Sequence, residues 1–372
     1  MAKSTSKSMI PLQALSSEQL ASIHTVGNDV GDTWTYYAAV DGEGTVIAEG
    51  RVRTRAVELQ RLYAILAGRR VRMVLETGTH SPWMSRLLEG MGHEVIVANS
   101  RDLHMIFKSK KKRDRVDART LAKVGRFDIE LLHPVHHRAE HIQRDLMMIR
   151  ARDGMIAVRT KLINLIRGMV KTSGERLPGC SADAFGSKMK PYLPAALADT
   201  LAPLVDQVAT LTTQIQACDK RVDELIETSY PAARIIMAID GVGPLTALSF
   251  VLLVEDARRF SSSRSVGAYF GLVPALDESG ESRPQKRITK RGDAHMRRLL
   301  VNAAHYILGK FGKDSDLRRH GLRIAERGGK NAKKRAVVAV ARKLTVIMHH
   351  LWLTGAAYDP LFNAKRMSAM AA

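Results

Sequence analysis

The chain has 372 residues, 45% of them hydrophobic, which is enough to divide into two or three units with buried cores. Its formal net charge of +21 calls for a polyanionic partner, while an aromatic content of only 5% argues against a binder built mainly on base stacking. Two cysteines, Cys180 and Cys218, make no metal pattern and fit a reducing cytosol.

Residues 1–22 have no apolar core of a secretory signal and read as a flexible leader. Residues 23–130 alternate strand and helix patterns. His24 to Gly31, Thr33 to Val40 and Thr45 to Val52 read as three strands joined by turns such as Asp41-Gly42. In the first, Val26, Asn28 and Val30 point one way, and Gly27, Asp29 and Gly31 the other. A helix from about Arg55 to Leu66 follows, then an apolar strand from Val71 to Glu76. Ser81-Pro82 opens a further helix, and Glu94 to Ala98 is a fifth strand. The last helix of this unit opens near Asp114 and runs to about Val124. Three hairpin strands followed by alternating helices and strands is the order of a ribonuclease-H-like fold.

The most telling stretch is Lys110-Lys111-Lys112-Arg113-Asp114-Arg115-Val116-Asp117. Carboxylates at i and i+3 share a helix face and repel each other unless a divalent cation sits between them. Ala118, Leu121 and Gly125 continue the line of Asp114, so the acids lie on the stripe that packs onto the sheet. Asp29 and Glu76 sit on neighbouring strands of the expected fold. Together the four acids suit Mg²⁺, a hard ion that takes oxygen ligands and assists phosphodiester chemistry. Taken singly, each has a structural reading. Asp29 closes a turn, Asp114 caps its helix, and Glu76 pairs with Arg72 on its own strand.

Residues 131–231 read as a helical coiled-coil region interrupted by a loop at 173–201. Leu204, Val208, Leu211, Ile215, Cys218, Val222 and Leu225 step alternately by four and three, the spacing of a heptad seam. Ile142, Leu146, Ile149 and Ile156 make a weaker seam upstream. The stretch from Leu177 to Pro194, rich in Pro, Gly and Ser, reads as a loop or hinge, and the two helices as a dimerising arm. Residues 232–372 form a second, mostly helical unit. Gly241-Val242-Gly243-Pro244 has the form of a helix-hairpin-helix turn, with Gly241 and Gly243 leaving N–H groups free for a phosphate. A polar loop around Ser279-Gly280 precedes a basic stretch containing Arg283, Lys286, Arg287, Lys290 and Arg291. The apolar run Ala336 to Leu353 carries Arg342, Lys343, His349 and His350, and reads as a buried helix and not a membrane span.

The blocks Val26-Gly27-Asn28-Asp29, Leu75-Glu76-Thr77-Gly78, Asp114-Arg115-Val116-Asp117, Gly241-Val242-Gly243-Pro244, Tyr269-Phe270-Gly271-Leu272-Val273-Pro274, Ser279-Gly280 and Ile288-Thr289-Lys290-Arg291-Gly292 fall in one order. In that order the chain resembles the DEDD transposases of insertion-sequence family 110, which includes the 1111 subgroup. The resemblance implies a RuvC-like catalytic domain, a coiled coil and a C-terminal transposase domain. It implies that Asp29, Glu76, Asp114 and Asp117 hold Mg²⁺, and that Ser279 is the nucleophile that becomes linked to DNA phosphate. It further implies a structured guide RNA pairing with donor and target DNA, and a homo-oligomer, dimer or tetramer. Asp32 stands where the family often has a basic residue, and Glu281 where a second glycine is common.

Two other readings compete with RNA-guided strand exchange. A RuvC-like Holliday-junction resolvase using metal-activated water would not need Ser279. In a non-catalytic nucleic-acid scaffold the acids would be structural, and Asp114→Asn with Asp117→Asn would leave recombination unchanged.

Overall fold

A computed structural model describes residues 10–100, 114–275 and 286–371. The chain divides into two compact units, Met1–Arg138 and Ala139–Ala372.

The first unit is built on a five-stranded mixed sheet: β1 (Thr25–Val30), β2 (Trp34–Val40), β3 (Val46–Arg53), β4 (Arg72–Glu76) and β5 (Glu94–Ala98), in the order β3-β2-β1-β4-β5. The first three strands are antiparallel; β4 and β5 run parallel to β1. This is consistent with the expected ribonuclease-H-like order. The predicted strand limits agree with the observed ones to within about two residues, because Gly and Asp turns and alternating apolar positions mark them.

Helix α1 (Ser17–Ser22) precedes the sheet; α2 (Ala56–Tyr63), α3 (Ser81–Gly90) and α4 (Asp114–Phe127) accompany it. Residues 10–22 differ from the expected loose leader. Leu12 and Leu15 are buried in the core of this unit, the Glu49 N–H donates to the Ile10 carbonyl, and Ser16 and Gln19 form a capping box at α1. Only three apolar side chains anchor the segment, too few to show as a periodic signal. His80, not Ser81, is the N-cap of α3; Ser81 Oγ instead exchanges bonds with the Gly78 backbone.

In the second unit α5 (Glu140–Thr172) pairs with α7 (Ala198–Thr228). The buried line on α7 is Leu201, Val205, Val208, Thr212, Ile215, Val222, Leu225 and Ile226; of the expected seam Val208, Ile215, Val222 and Leu225 are buried, whereas Leu204, Leu211 and Cys218 are only half-buried. The seam departs from the expected one only at alternate positions: Arg159 of α5 reaches Thr212 Oγ1 at 3.2 Å, giving a polar residue a core place beside the half-buried Leu211. The stretch expected to be a loop holds a short helix, α6 (Ala182–Lys188), capped by Ser181 and anchored by the buried Phe185. The lower end of the pair shares one core with α8 (Ala232–Met237), α9 (Pro244–Val254), α10 (Ser263–Tyr269), α11 (Ala294–Leu308), α12 (Asp316–Glu326) and α13 (Ala332–Thr354), with α14 (Phe362–Ala371) closing the chain. Helix α13 is long and apolar enough to cross a membrane by composition, yet Val340, Leu344 and Met348 are fully buried in that core.

Candidate active site

Parallel pairing of β1 with β4 aligns Asn28 with Leu75, and one residue further along lie Asp29, next to last in β1, and Glu76, last in β4. Residues in register on adjacent strands point to the same face. That face is the one covered by α4. A Cβ on Gly27, two residues before Asp29, would lie 2.2 Å from the Ala118 carbonyl oxygen and 2.4 Å from Ala122 N. Only hydrogen fits there, and this lets the helix backbone lie directly on β1. On β4, Val74 Cγ2 meets Gly125 in the same way. The predicted stripe is confirmed: Ala118, Leu121 and Gly125 are all buried.

The direction of α4 follows from its C-terminal end. Arg126 Nη1 donates to the Gly42 carbonyl in the β2–β3 turn at 2.7 Å, and Arg72 at the start of β4 donates to the Gly125 carbonyl at 2.9 Å. The helix thus runs against β1 and β4, with its first turn toward their C-terminal ends. From the Ala118–Ala122 contact back to Asp117 the helix rises about 4.5 Å, and from Gly27 to Asp29 the strand advances about 6.6 Å. Asp117, half-buried, therefore lies toward the same end of the sheet as Asp29 and Glu76. Asp114 begins the helix, but its side chain, like that of Arg115, lies outside the described residues. So do Lys110, Lys111, Lys112 and Arg113.

Several contacts fix this rim. Arg119 of α4 grips the buried Glu49 of β3 with two bonds of 2.6 and 2.7 Å. Asn28, on the opposite face from Asp29, accepts the Tyr63 hydroxyl at 2.5 Å. Burial pushes that phenol far above its usual pKa and keeps it a donor. Arg72 is engaged by Glu94 at 3.1 Å and by Gly125, so the Glu76–Arg72 pairing considered from sequence is not what organises Arg72. Among the described residues no group of three or more His, Cys, Asp or Glu side chains stands ready as a metal cage.

Sequence reasoning missed one element of the rim. Trp83 Nε1 donates to His80 Nδ1 at 3.1 Å, and His80 Nε2 lies 3.2 Å from Asp32 Oδ1. Indole N–H only donates, so the network assigns the imidazole proton to Nε2, which donates to Asp32. The loops after β1 and β4, each following an acid-bearing strand end, are tied together by this bond. The His80-to-Trp83 spacing of three was the available local signal; its partner Asp32 was not.

In the second unit, segments 271–275 and 287–290 pair as a short stem. Ala275 N donates to Arg287 O at 2.9 Å, Thr289 N to Val273 O at 2.9 Å, and Lys290 N to Gly271 O at 3.1 Å. Arg297 Nη1 clamps the carbonyls of Phe270, Arg291 and Gly292 at 3.2, 2.6 and 3.1 Å. Lys286, Arg287, Lys290 and Arg291 are exposed on this stem. Ser279 and Arg283, which it would carry, lie outside the described residues. The turn between α8 and α9 has the expected form: Gly241 adopts φ +90°, Gly243 is the N-cap and Pro244 opens the helix. The first intrahelical bond is Ala247 N to Gly243 O, so the N–H groups of Leu245 and Thr246 precede it at the positive end of the helix.

Residues 26–173, spanning the whole sheet and α4, match the family model for DEDD transposases of the IS110 group, described as "Transposase". Residues 233–320, spanning the glycine turn and the stem, match the model described as "Transposase IS116/IS110/IS902 family". The chain belongs to the IS110 family of transposases. It is 29% identical over 331 residues to the transposase for insertion sequence element IS1111A of Coxiella burnetii, covering 86% of this chain and 87% of that protein. It is 26% identical over 295 residues to the transposase for IS1328 of Yersinia enterocolitica, covering 78% and 86%. A pilin gene-inverting protein of Moraxella lacunata is 26% identical over 149 residues, 39% of this chain and 45% of that protein. As an IS110-family transposase the chain is a DNA recombinase, and DNA is its substrate.

Proposed function

We propose that this transposase cuts and exchanges DNA strands through a serine-linked intermediate, at a divalent-metal site formed by Asp29, Glu76, Asp114 and Asp117. The observation that supports the reading is the register of β1 on β4, which past Asn28 and Leu75 leads to Asp29 and Glu76 at the C-terminal ends of adjacent strands, with the first turn of α4 directed toward that end. An incomplete cage fits Mg²⁺, which keeps several waters and takes one or two carboxylates plus substrate phosphate oxygens. When bound there, divalent ions would polarise the scissile phosphate and stabilise the leaving oxygen.

The protein groups then have distinct tasks. Asp29 and Glu76 are fixed by the sheet, and Asp114 and Asp117 by a helix that Gly27, Arg119 and Arg126 hold in place. Ser279 Oγ attacks the phosphorus; the P–Oγ bond forms as the P–O bond to the leaving strand breaks, and the serine proton ends on the leaving oxygen. One phosphodiester replaces another, so rejoining needs no external energy. Lys286, Arg287, Lys290 and Arg291 on the stem, with Lys110, Lys111, Lys112, Arg113, Arg115 and Arg283, neutralise backbone charge. The Gly241–Gly243 turn adds uncharged N–H contacts.

A structured RNA from the element, pairing with donor and target DNA, would supply sequence choice, as base pairing does in other guided systems. The working form in the cytoplasm would be a dimer or tetramer. The RuvC-like domain would supply the acids and the C-terminal domain the serine.

Ser279→Ala tests the chemistry. The variant should bind DNA as well as the parent yet form no covalent protein–DNA adduct on denaturing gels, and its cleavage should fall by roughly a thousandfold or more. Cleavage at the parental rate without an adduct would instead establish water as the nucleophile and a resolvase-like reaction.

A further inference from the structure

Between α11 and α12 the chain reads Gly309-Lys310-Phe311-Gly312-Lys313-Asp314-Ser315, and Phe311 holds 69% of its surface in water. Placing a phenylalanine there forgoes the stabilisation that burial would give it. The loop around it is nonetheless well tied. Gly309 N donates to the His305 and Tyr306 carbonyls, Gly312 N donates to the Gly309 carbonyl at 3.2 Å, and Arg318 Nη1 donates to the carbonyls of Ile307 and Gly309 at 2.5 and 2.6 Å. The ring is therefore presented by a braced frame.

Its surroundings are cationic. Lys310 Nζ lies 4.8 Å from the Phe311 ring centroid, and Lys313 bonds Asp240 at 2.9 Å, directly before the glycine turn. Asp314, the acid nearest in sequence, is bonded to Arg319. A Cβ on Gly241 would lie 2.8 Å from Tyr306 Cδ1, so the glycine turn packs on the last turns of α11, from which this loop departs. Beyond Gly309 lies a cleft of about 590 Å³, lined mostly by apolar side chains such as Val301, Leu308 and Val337, which also holds His305, Lys333 and Lys334.

We propose that Phe311 is a stacking platform for an unpaired nucleobase, with Lys310 and the Gly241–Gly243 turn holding the phosphates on either side. A flat apolar ring beside cations matches a base on its charged backbone, and stacking of this kind tolerates any base. The cations beside the ring favour an anionic strand over a neutral apolar chain. The inference rests on the reading of the chain as acting on nucleic acid. Strand exchange and structured RNA both supply unpaired bases, so deoxyribose and ribose strands share the recognised chemistry.

The test uses the full-length protein and 12-nucleotide single strands, deoxy and ribo, each carrying one central 2-aminopurine, with a DNA duplex for comparison. Phe311→Ala should weaken binding of one or both single strands by roughly 5- to 100-fold and abolish 2-aminopurine quenching, leaving duplex affinity within about twofold. Phe311→Trp should retain both signals. The arm that responds identifies the DNA or the RNA as the source of the base. Parental single-strand affinity and quenching in Phe311→Ala overturn the stacking role while leaving the recombinase reading intact. Failure of the parent protein to bind any of the three probes overturns both. A change of mass by light scattering in Phe311→Ala, with binding unaltered, assigns the ring to contact between copies instead.

Discussion

Asp29→Asn combined with Glu76→Gln is expected to reduce strand cleavage by on the order of a thousandfold, since removing the ligands withdraws several kcal/mol of charge stabilisation from the transition state. The fold should be retained, because the two amides keep the shape of the acids and remove the repulsion between like charges on neighbouring strands. This split separates a functional pair from a structural one. If the two acids served to hold the strand ends, the double variant would lose thermal stability and activity together. Cleavage of a labelled duplex beside a calorimetric scan measures both.

Gly27→Val is expected to destabilise the first unit by about 3 kcal/mol, the upper end of overpacking costs, and to abolish cleavage without touching an acid. The atoms in the way are the Ala118 carbonyl oxygen at 2.2 Å and Ala122 N at 2.4 Å, both main-chain, so no rotamer change relieves the clash. The helix must lift, and Asp117 lifts with it. Gly42→Ala, where a Cβ meets nothing within 4 Å, is the control and should leave melting temperature and activity unchanged. A Gly27→Val variant that melts like its parent would mean that α4 does not rest on β1.

The strands and the helix that carry the acids were legible in sequence because each has a local signature. Alternation marks β1, with Asp29 on the face opposite Val26 and Asn28. Steps of four, three and four place Asp114, Ala118, Leu121 and Gly125 on one stripe, and burial of the last three bears that out. What local patterns do not carry is pairing across long separations. Arg119 with Glu49, Arg72 with Glu94, and His80 with Asp32 join residues 22 to 70 positions apart, and nothing near any of them names its partner. Alternate positions of the α7 seam, at Leu204, Leu211 and Cys218, departed from expectation for a related reason. Leu204, Leu211 and Cys218 look more apolar than Thr212, yet Thr212 is buried because Arg159 supplies it with a bond. In α6 a single buried aromatic, Phe185, outweighs the turn-forming residues around it.

Replacing Mg²⁺ by Fe²⁺ with ascorbate and peroxide, then mapping where the polypeptide is cut by locally generated radicals, tests the central claim most directly. The account predicts three clusters of cuts, at the ends of β1 and β4 and at the start of α4, all suppressed by excess Mg²⁺ and absent from Asp29→Asn with Glu76→Gln. Cuts confined to other segments, or a pattern indifferent to that double substitution, would contradict it.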